Sequence, residues 1–160
     1  MTDATSDRPS RRLDDGEMEA WLPIIRFVQL LPQVLDRVLK DEVGLNHARY
    51  AILIMLAGRV DGGATTMTEL AHIAGLSRSR LSHAIDSLEE RGWVERTSCG
   101  ADKRTLSATL TPAGRAMLRE AAPVHVAQVR ELVLDPLSAE ERSQLAGILS
   151  KLLPGVTAAL

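Results

Sequence analysis

The stretch Thr66–Thr111, TTMTELAHIAGLSRSRLSHAIDSLEERGWVERTSCGADKRTLSATLT, decides the fold. Two short helical patterns meet at Gly75-Leu76-Ser77. In the first, Glu69–Ala74, the side chains of Leu70, Ile73 and Ala74 share one side. Thr66 and Glu69 have capping-box spacing, and Thr68 is a second candidate N-cap that would leave Ala64–Met67 extended. Small Ala71 admits a close second helix, and Gly75 suits the positive φ of a tight turn. Ser77 then caps the second pattern, Arg78–Arg91, where Leu81, Ala84, Ile85 and Leu88 recur at i, i+3, i+4 and i+7. Ser79, Ser82, His83 and Asp86 project from the opposite side, flanked by Arg78 and Arg80, and Gly92 supplies the stop.

Short hydroxyls framed by arginines can enter a major groove, where they leave room for the backbone and let guanidinium groups reach guanine edges or phosphates. The helix pair by itself is equally a solvated face of any αα-hairpin. The residues after Gly92 tip the balance. Trp93–Thr97 and Thr105–Leu110 both alternate with period two, across the turn-rich segment Ser98–Arg104. A hairpin directly after such a helix makes a winged helix-turn-helix, mainly α with a small β-hairpin wing. Lys103 and Arg104 at the wing tip are of the kind that enters a narrow minor groove, and Asp102 is placed to pair with Arg104 and fix its direction. The candidate DNA-binding residues are therefore Arg78, Ser79, Arg80, Ser82, His83, Asp102, Lys103 and Arg104.

These residues resemble the MarR family of bacterial winged-helix regulators over roughly Glu17 to Leu153. The likeness is strongest in TELAHIAGLSRSRLSHAIDSLEERGWVER, in the wing GADKR ending in LTPAGR, and in AAPVHVAQVRELVLDPLS, which looks like an actinobacterial branch. Asp102-x-Arg104 followed by Leu110-Thr111-x-x-Gly114 is its most specific signal. The resemblance implies a homodimer interlocked through its first and last helices, and a repressor that leaves a pseudo-palindromic operator when a small molecule binds. It also implies a ligand pocket where the first two helices meet the DNA-binding unit. The amphipathic residues there are Trp21, Arg26, His47, Arg49 and Tyr50, each equally readable as core or surface.

Composition sets bounds on this reading. The 160-residue chain has a formal net charge of −2, which does not favour indiscriminate polyanion binding. Between Leu76 and Leu110, Arg78, Arg80, Arg91, Arg96, Lys103 and Arg104 are nearly cancelled by Asp86, Glu89, Glu90, Glu95 and Asp102. That weak footprint keeps a second class open: a winged-helix module for protein contact that does not bind DNA. One cysteine, Cys99, excludes an internal disulfide and reads as an ordinary loop thiol of a cytoplasmic protein. His47, His72, His83 and His125 have no metal-ligand spacing, and no catalytic or nucleotide-binding motif occurs, so no enzyme, cofactor or metal is expected. No segment is apolar enough to span a membrane.

The flanks are expected to serve dimerisation. Residues 1–16, with Arg8, Arg11 and Arg12, read as a disordered tail; 17–45 and 112–160 as the helical dimerisation region; 46–111 as the DNA-binding region. The helix Glu17–Lys40 carries two apolar stripes, one from Trp21 to Leu39 and one from Ile24 to Val38, too wide for a lone surface helix. Pro23 and Pro32 should kink or shorten it. Asn46 caps a helix His47–Gly58 lined by Tyr50, Leu53, Ile54 and Ala57, and an Asp61-Gly62-Gly63 loop comes next. Thr111-Pro112 starts a helix to Leu134, bent or interrupted at Pro123, with His125 placed toward a subunit interface. Ser138 and Glu141 open the last helix as a capping box.

Overall fold

The computed structural model describes residues 12–58, 65–98 and 106–159. Expectations for Arg8 and Arg11, the Asp61-Gly62-Gly63 loop, Cys99, Asp102, Lys103 and Arg104 lie outside the described residues. The elements run α1 (Asp15–Val43), α2 (His47–Ala57), β1 (Thr65–Thr66), α3 (Met67–Ala74), α4 (Arg78–Glu90), β2 (Val94–Ser98), β3 (Leu106–Leu110), α5 (Pro112–Val129), a π-helical turn (Arg130–Leu134) and α6 (Ala139–Ala158). The boundary between two compact units falls inside α1, between Val34 and Leu35. The core lies wholly in the second unit, where Leu39, Leu45, Ile52, Leu53, Leu70, Leu81, Ile85, Leu88 and Val94 are nearly or fully inaccessible.

The ends of the helices follow their capping chemistry. Asn46, Thr66, Ser77, Thr111 and Ser138 each accept a hydrogen bond from a first-turn N–H, and Ser138 and Glu141 complete their reciprocal pair. Thr66 is thus the N-cap of α3, and Thr68 is not. One cap went unread in the sequence: the Asp14 carboxylate accepts from the Glu17 N–H and Glu17 accepts from the Asp14 N–H. It starts α1 at Asp15, inside the stretch expected to be disordered.

The prolines neither shorten nor interrupt the helices that carry them. The first helix runs unshortened through Pro23 and Pro32, and α5 passes Pro123 without interruption. Each proline removes one donor from a ladder that is continuous on either side, so its cost stays local. The break in the fifth helix comes later, at Arg130–Leu134, where the Asp135 N–H reaches back five residues to the Arg130 carbonyl at 2.7 Å.

The apolar faces are partly rotated from the sequence reading. On α4 the stripe holds, with Leu81, Ile85 and Leu88 buried. On α3 Leu70 and Ala71 are buried while Ile73 is exposed. On α2 Ile52 and Leu56 join Tyr50 and Leu53 inside while Ile54 faces out. That helix packs against α3, α5 and β3 together, so a single-face periodicity could not place it.

The sheet has three strands in the order β1-β3-β2, all antiparallel. Thr65 and Thr66 pair with Ala108 and Ser107, adding a strand to the expected hairpin and tying the start of α3 to the base of the wing. Gly75, at φ 61°, turns the chain between α3 and α4.

One corner joins four of these elements. Thr111 Oγ1 donates to the Gly92 carbonyl at 2.7 Å and accepts from the Gly114 N–H at 3.0 Å. The Thr111 N–H donates to the Trp93 carbonyl at 3.1 Å. Gly114 is buried, and a Cβ there would collide with the Trp93 carbonyl oxygen and sit 2.7 Å from Leu110 Cδ1. The Leu-Thr-x-x-Gly signature thus marks the place where α5 presses on the exit of α4 and the first turn of the wing. Gly114→Ala should destabilise the fold by about 1–3 kcal/mol, an overpacking against backbone that has nowhere to yield. Urea denaturation measures this, and an unchanged midpoint would refute the corner's role.

Candidate nucleic-acid interface

Ser77 sets the first turn of α4 by accepting the Arg80 N–H at 3.3 Å. With Leu81 and Ile85 locked in the core, the helix cannot rotate, and its other side must face out. Arg78, Ser79, Arg80 and His83 are exposed there and Ser82 is half-buried. A cleft of about 470 Å³ runs beside them, lined by Thr66, Thr68, Arg78, Ser79, Ser82 and Arg96 among others. Five of the eight DNA-face residues expected from sequence thus share one side of α4; Asp102, Lys103 and Arg104 lie outside the described residues.

The charges of this region sort into two groups. Arg96, on β2, places one terminal nitrogen 2.7 Å from Asp86 Oδ1 and the other 2.5 Å from Glu89 Oε2, while its Nε donates to the same Glu89 oxygen at 2.9 Å. The fork raises the Arg96 pKa and lowers that of Glu89, in each case chiefly through their mutual hydrogen bond. Arg91 stacks 5.0 Å over the Trp93 ring and donates to the Gly44 carbonyl at 3.2 Å. Glu95 accepts from Thr109 Oγ1 at 3.2 Å. The side chains of Arg78 and Arg80, by contrast, have no hydrogen-bond or ion-pair partner among the described residues. The near-cancellation of charge is therefore largely internal: Arg91, Arg96, Asp86, Glu89 and Glu95 engage one another or their own chain. Arg96, counted from sequence in the basic footprint, is instead bound to the helix.

Of the five residues proposed to meet a ligand, Trp21 and Arg26 belong to the first compact unit and His47, Arg49 and Tyr50 to the second. Trp21 and Arg26 are exposed on the N-terminal part of α1. Tyr50 is a core residue, 3% exposed. His47 and Arg49 are half-buried, and Arg49 Nε is buried without a partner. The structure adds a residue that sequence did not link to them: His125 of α5 lies 4.6 Å from the Tyr50 ring and 5.5 Å from the His47 ring within the same chain. Its Nδ1 is buried and unpartnered. The His47 N–H donates to Asp36 Oδ1 at 3.0 Å, and Asp36 pairs with Lys40 at 2.7 Å. No sequence spacing links His47 to His125; only the packing of α5 on α2 does.

The comparisons with known proteins agree with this geometry. A family model described as MarR family matches residues 43–105. The crystal structure of Sco3205, a MarR family transcriptional regulator from Streptomyces coelicolor in complex with DNA, matches at TM-score 0.85 and 40% identity, over 91% of this chain and 94% of that one. The chain belongs to the MarR family of transcriptional regulators. A second MarR family regulator from the same organism, AbsC, matches at TM-score 0.84 and 34% identity over 93% of this chain and 99% of that one. The transcriptional repressor MprA of Escherichia coli (strain K12) is 34% identical over 118 residues, 74% of this chain and 65% of that protein. None of the described helices of this MarR-family chain is long and apolar enough to cross a membrane.

Burial lowers the pKa of His47, against an opposing pull from Asp36, and lowers that of His125, with His47 adding to the effect. Both fall below the ordinary value of 6.5, so the unfolded chain takes up these protons at higher pH than the folded one does. The stability from keeping them neutral is full above that value and is lost as pH falls through it toward the folded values. Thermal melts should therefore show a falling Tm between about pH 7.5 and about pH 5.5, above the range where carboxylates titrate. His125→Phe keeps the ring on Tyr50 and should flatten the dependence. An equal slope in wild type and variant would exclude His125 as its source.

Proposed function

We propose that this MarR-family regulator binds double-stranded DNA sequence-specifically as a homodimer and represses transcription until a small-molecule effector releases it. The observation that carries the DNA reading is the outward face of α4: Arg78, Ser79, Arg80 and His83 exposed, with both guanidinium groups free of partners among the described residues. An arginine with no internal partner keeps its whole fork for base edges or phosphates. Ser79, Ser82 and His83 supply the short polar contacts, and Asp102, Lys103 and Arg104 the wing contacts in the minor groove.

The homodimer rests on α6, which has no buried residue in the single chain. Ile148, Leu149, Leu152, Leu153 and Val156 are 46% to 62% exposed, more contiguous apolar surface than a lone helix leaves to water. A two-fold dimer of this kind presents two copies of α4 and so calls for a pseudo-palindrome with half-sites about one helical turn apart. Repression follows the relative named as a repressor, and the family resemblance implies an effector site for which Trp21, Arg26, His47, Arg49 and Tyr50 are the candidates.

A mobility-shift series with DNA from the protein's own upstream region tests the reading, and binding that weakens steeply with salt is expected. Arg80→Ala should cost on the order of 1–3 kcal/mol on that DNA and much less on random DNA if Arg80 reads a base. Equal loss on both would assign Arg80 to the backbone. Absence of any salt-dependent shift would replace the proposal with a protein-contact module.

A further inference from the structure

In the sheet order β1-β3-β2, β2 is an edge, with β3 on one side only. Past Val94 its side chains Glu95, Thr97 and Ser98 are exposed, and Arg96 alone is withdrawn from water. Arg96 pairs with Ala108 of β3 in register, so it stands midway along the wing strands. Its backbone N–H points away from β3, donating to Glu89 Oε1 at 3.2 Å. Glu89 Oε2 takes Nε and one terminal nitrogen, and Asp86 takes the other. Asp86 and Glu89 lie three residues apart on α4, one turn beyond His83. An open edge N–H needs a cover, and Glu89 supplies it on the side of β2 that faces away from β3.

We propose that Arg96 is a positioning residue, a strut that fixes the direction of the wing strands relative to α4, and that Asp86 and Glu89 are its sockets. This rests on the DNA-binding reading above, for the strut matters only if α4 and the wing must meet the duplex at one fixed spacing. The strut needs the planar guanidinium, since a lysine ammonium cannot meet two carboxylates and cover the same span. Simple electrostatics makes the opposite prediction for the sockets. Removing the carboxylate of Glu89 should tighten DNA binding if the local charge were all that counted, and should weaken it if the strut sets the geometry.

The test is anisotropy with upstream DNA across a salt series, using full-length protein with Arg96→Ala, Arg96→Lys, Glu89→Ala, Glu89→Gln and the Arg96→Ala/Glu89→Ala pair. The strut predicts that Arg96→Ala and Glu89→Ala each weaken binding about five-fold, that the double variant is little worse than either, and that the salt slope stays unchanged. Arg96→Lys and Glu89→Gln should fall between these and wild type, and they carry the test if an alanine variant fails to fold. Unchanged or tighter binding in Glu89→Ala and Glu89→Gln would overturn the proposal. So would a salt slope reduced by about one ion in Arg96→Ala, which marks a phosphate contact.

Amide hydrogen exchange without DNA separates this idea from the functional reading. The Arg96 amide should exchange slowly in wild type and faster in the Glu89 variants, with Thr97, Ser98 and Leu106 changing in the same direction. Wild-type protein that binds no DNA would sink the function while this exchange pattern upheld the strut. Exchange at those amides unaffected by the Glu89 variants would sink the strut whatever the DNA result.

Discussion

The missing side chain at Gly114 is the constraint on which the rest of the unit depends. Because no Cβ stands between them, the first turn of α5 lies against the Trp93 carbonyl, and Thr111 can bond to both Gly92 and Gly114. That contact holds the exit of α4, the first residues of β2, the end of β3 and the start of α5 within one turn of chain. Val94 and Leu110, which face each other in register, carry the same junction into the core. The angle between α4 and the wing is thus set at its base by a steric fit and hydrogen bonds. Further along the strands it depends on the Arg96 bridge.

Electrostatics in this protein acts first on its own architecture. A slightly acidic chain is a poor polyelectrolyte, and its interface does not work by bulk charge. Asp86 and Glu89 of α4 are taken up by Arg96, and Arg91 is spent on Trp93 and Gly44. Among the described residues of α4, the guanidinium groups of Arg78 and Arg80, beside short hydroxyls, have no internal partner.

Much of this was legible in the sequence because it depends on local rules. Caps at Asn46, Thr66, Ser77, Thr111 and Ser138, the glycine turn at Gly75 and the Leu81-Ile85-Leu88 stripe each need only near neighbours along the chain. The parts that were not legible depend on contacts distant in sequence. Thr65–Thr66 is too short to read as a strand until Ala108 and Ser107 lie beside it. Ile73 faces water although it shares the apolar pattern of Leu70. Arg96 counts only toward the region's basic charge until Asp86 and Glu89 are seen to hold it, and His125 has no visible link to Tyr50 until α5 crosses α2. Proline weighs heavily in a sequence reading, yet Pro23, Pro32 and Pro123 are all carried inside helices. The Leu-Thr-x-x-Gly motif was legible as a family mark before its reason was: a position where α5 must touch backbone.

The most direct test of the account is hydroxyl-radical footprinting of the full-length protein on DNA from its own upstream region. Two rigid copies of α4 related by a two-fold axis should protect two symmetric patches, centred about one helical turn apart, with flanking minor-groove protection from the wings. A single unsymmetric patch, or uniform protection that tracks the DNA rather than its sequence, would contradict a dimeric, sequence-reading interface built on α4.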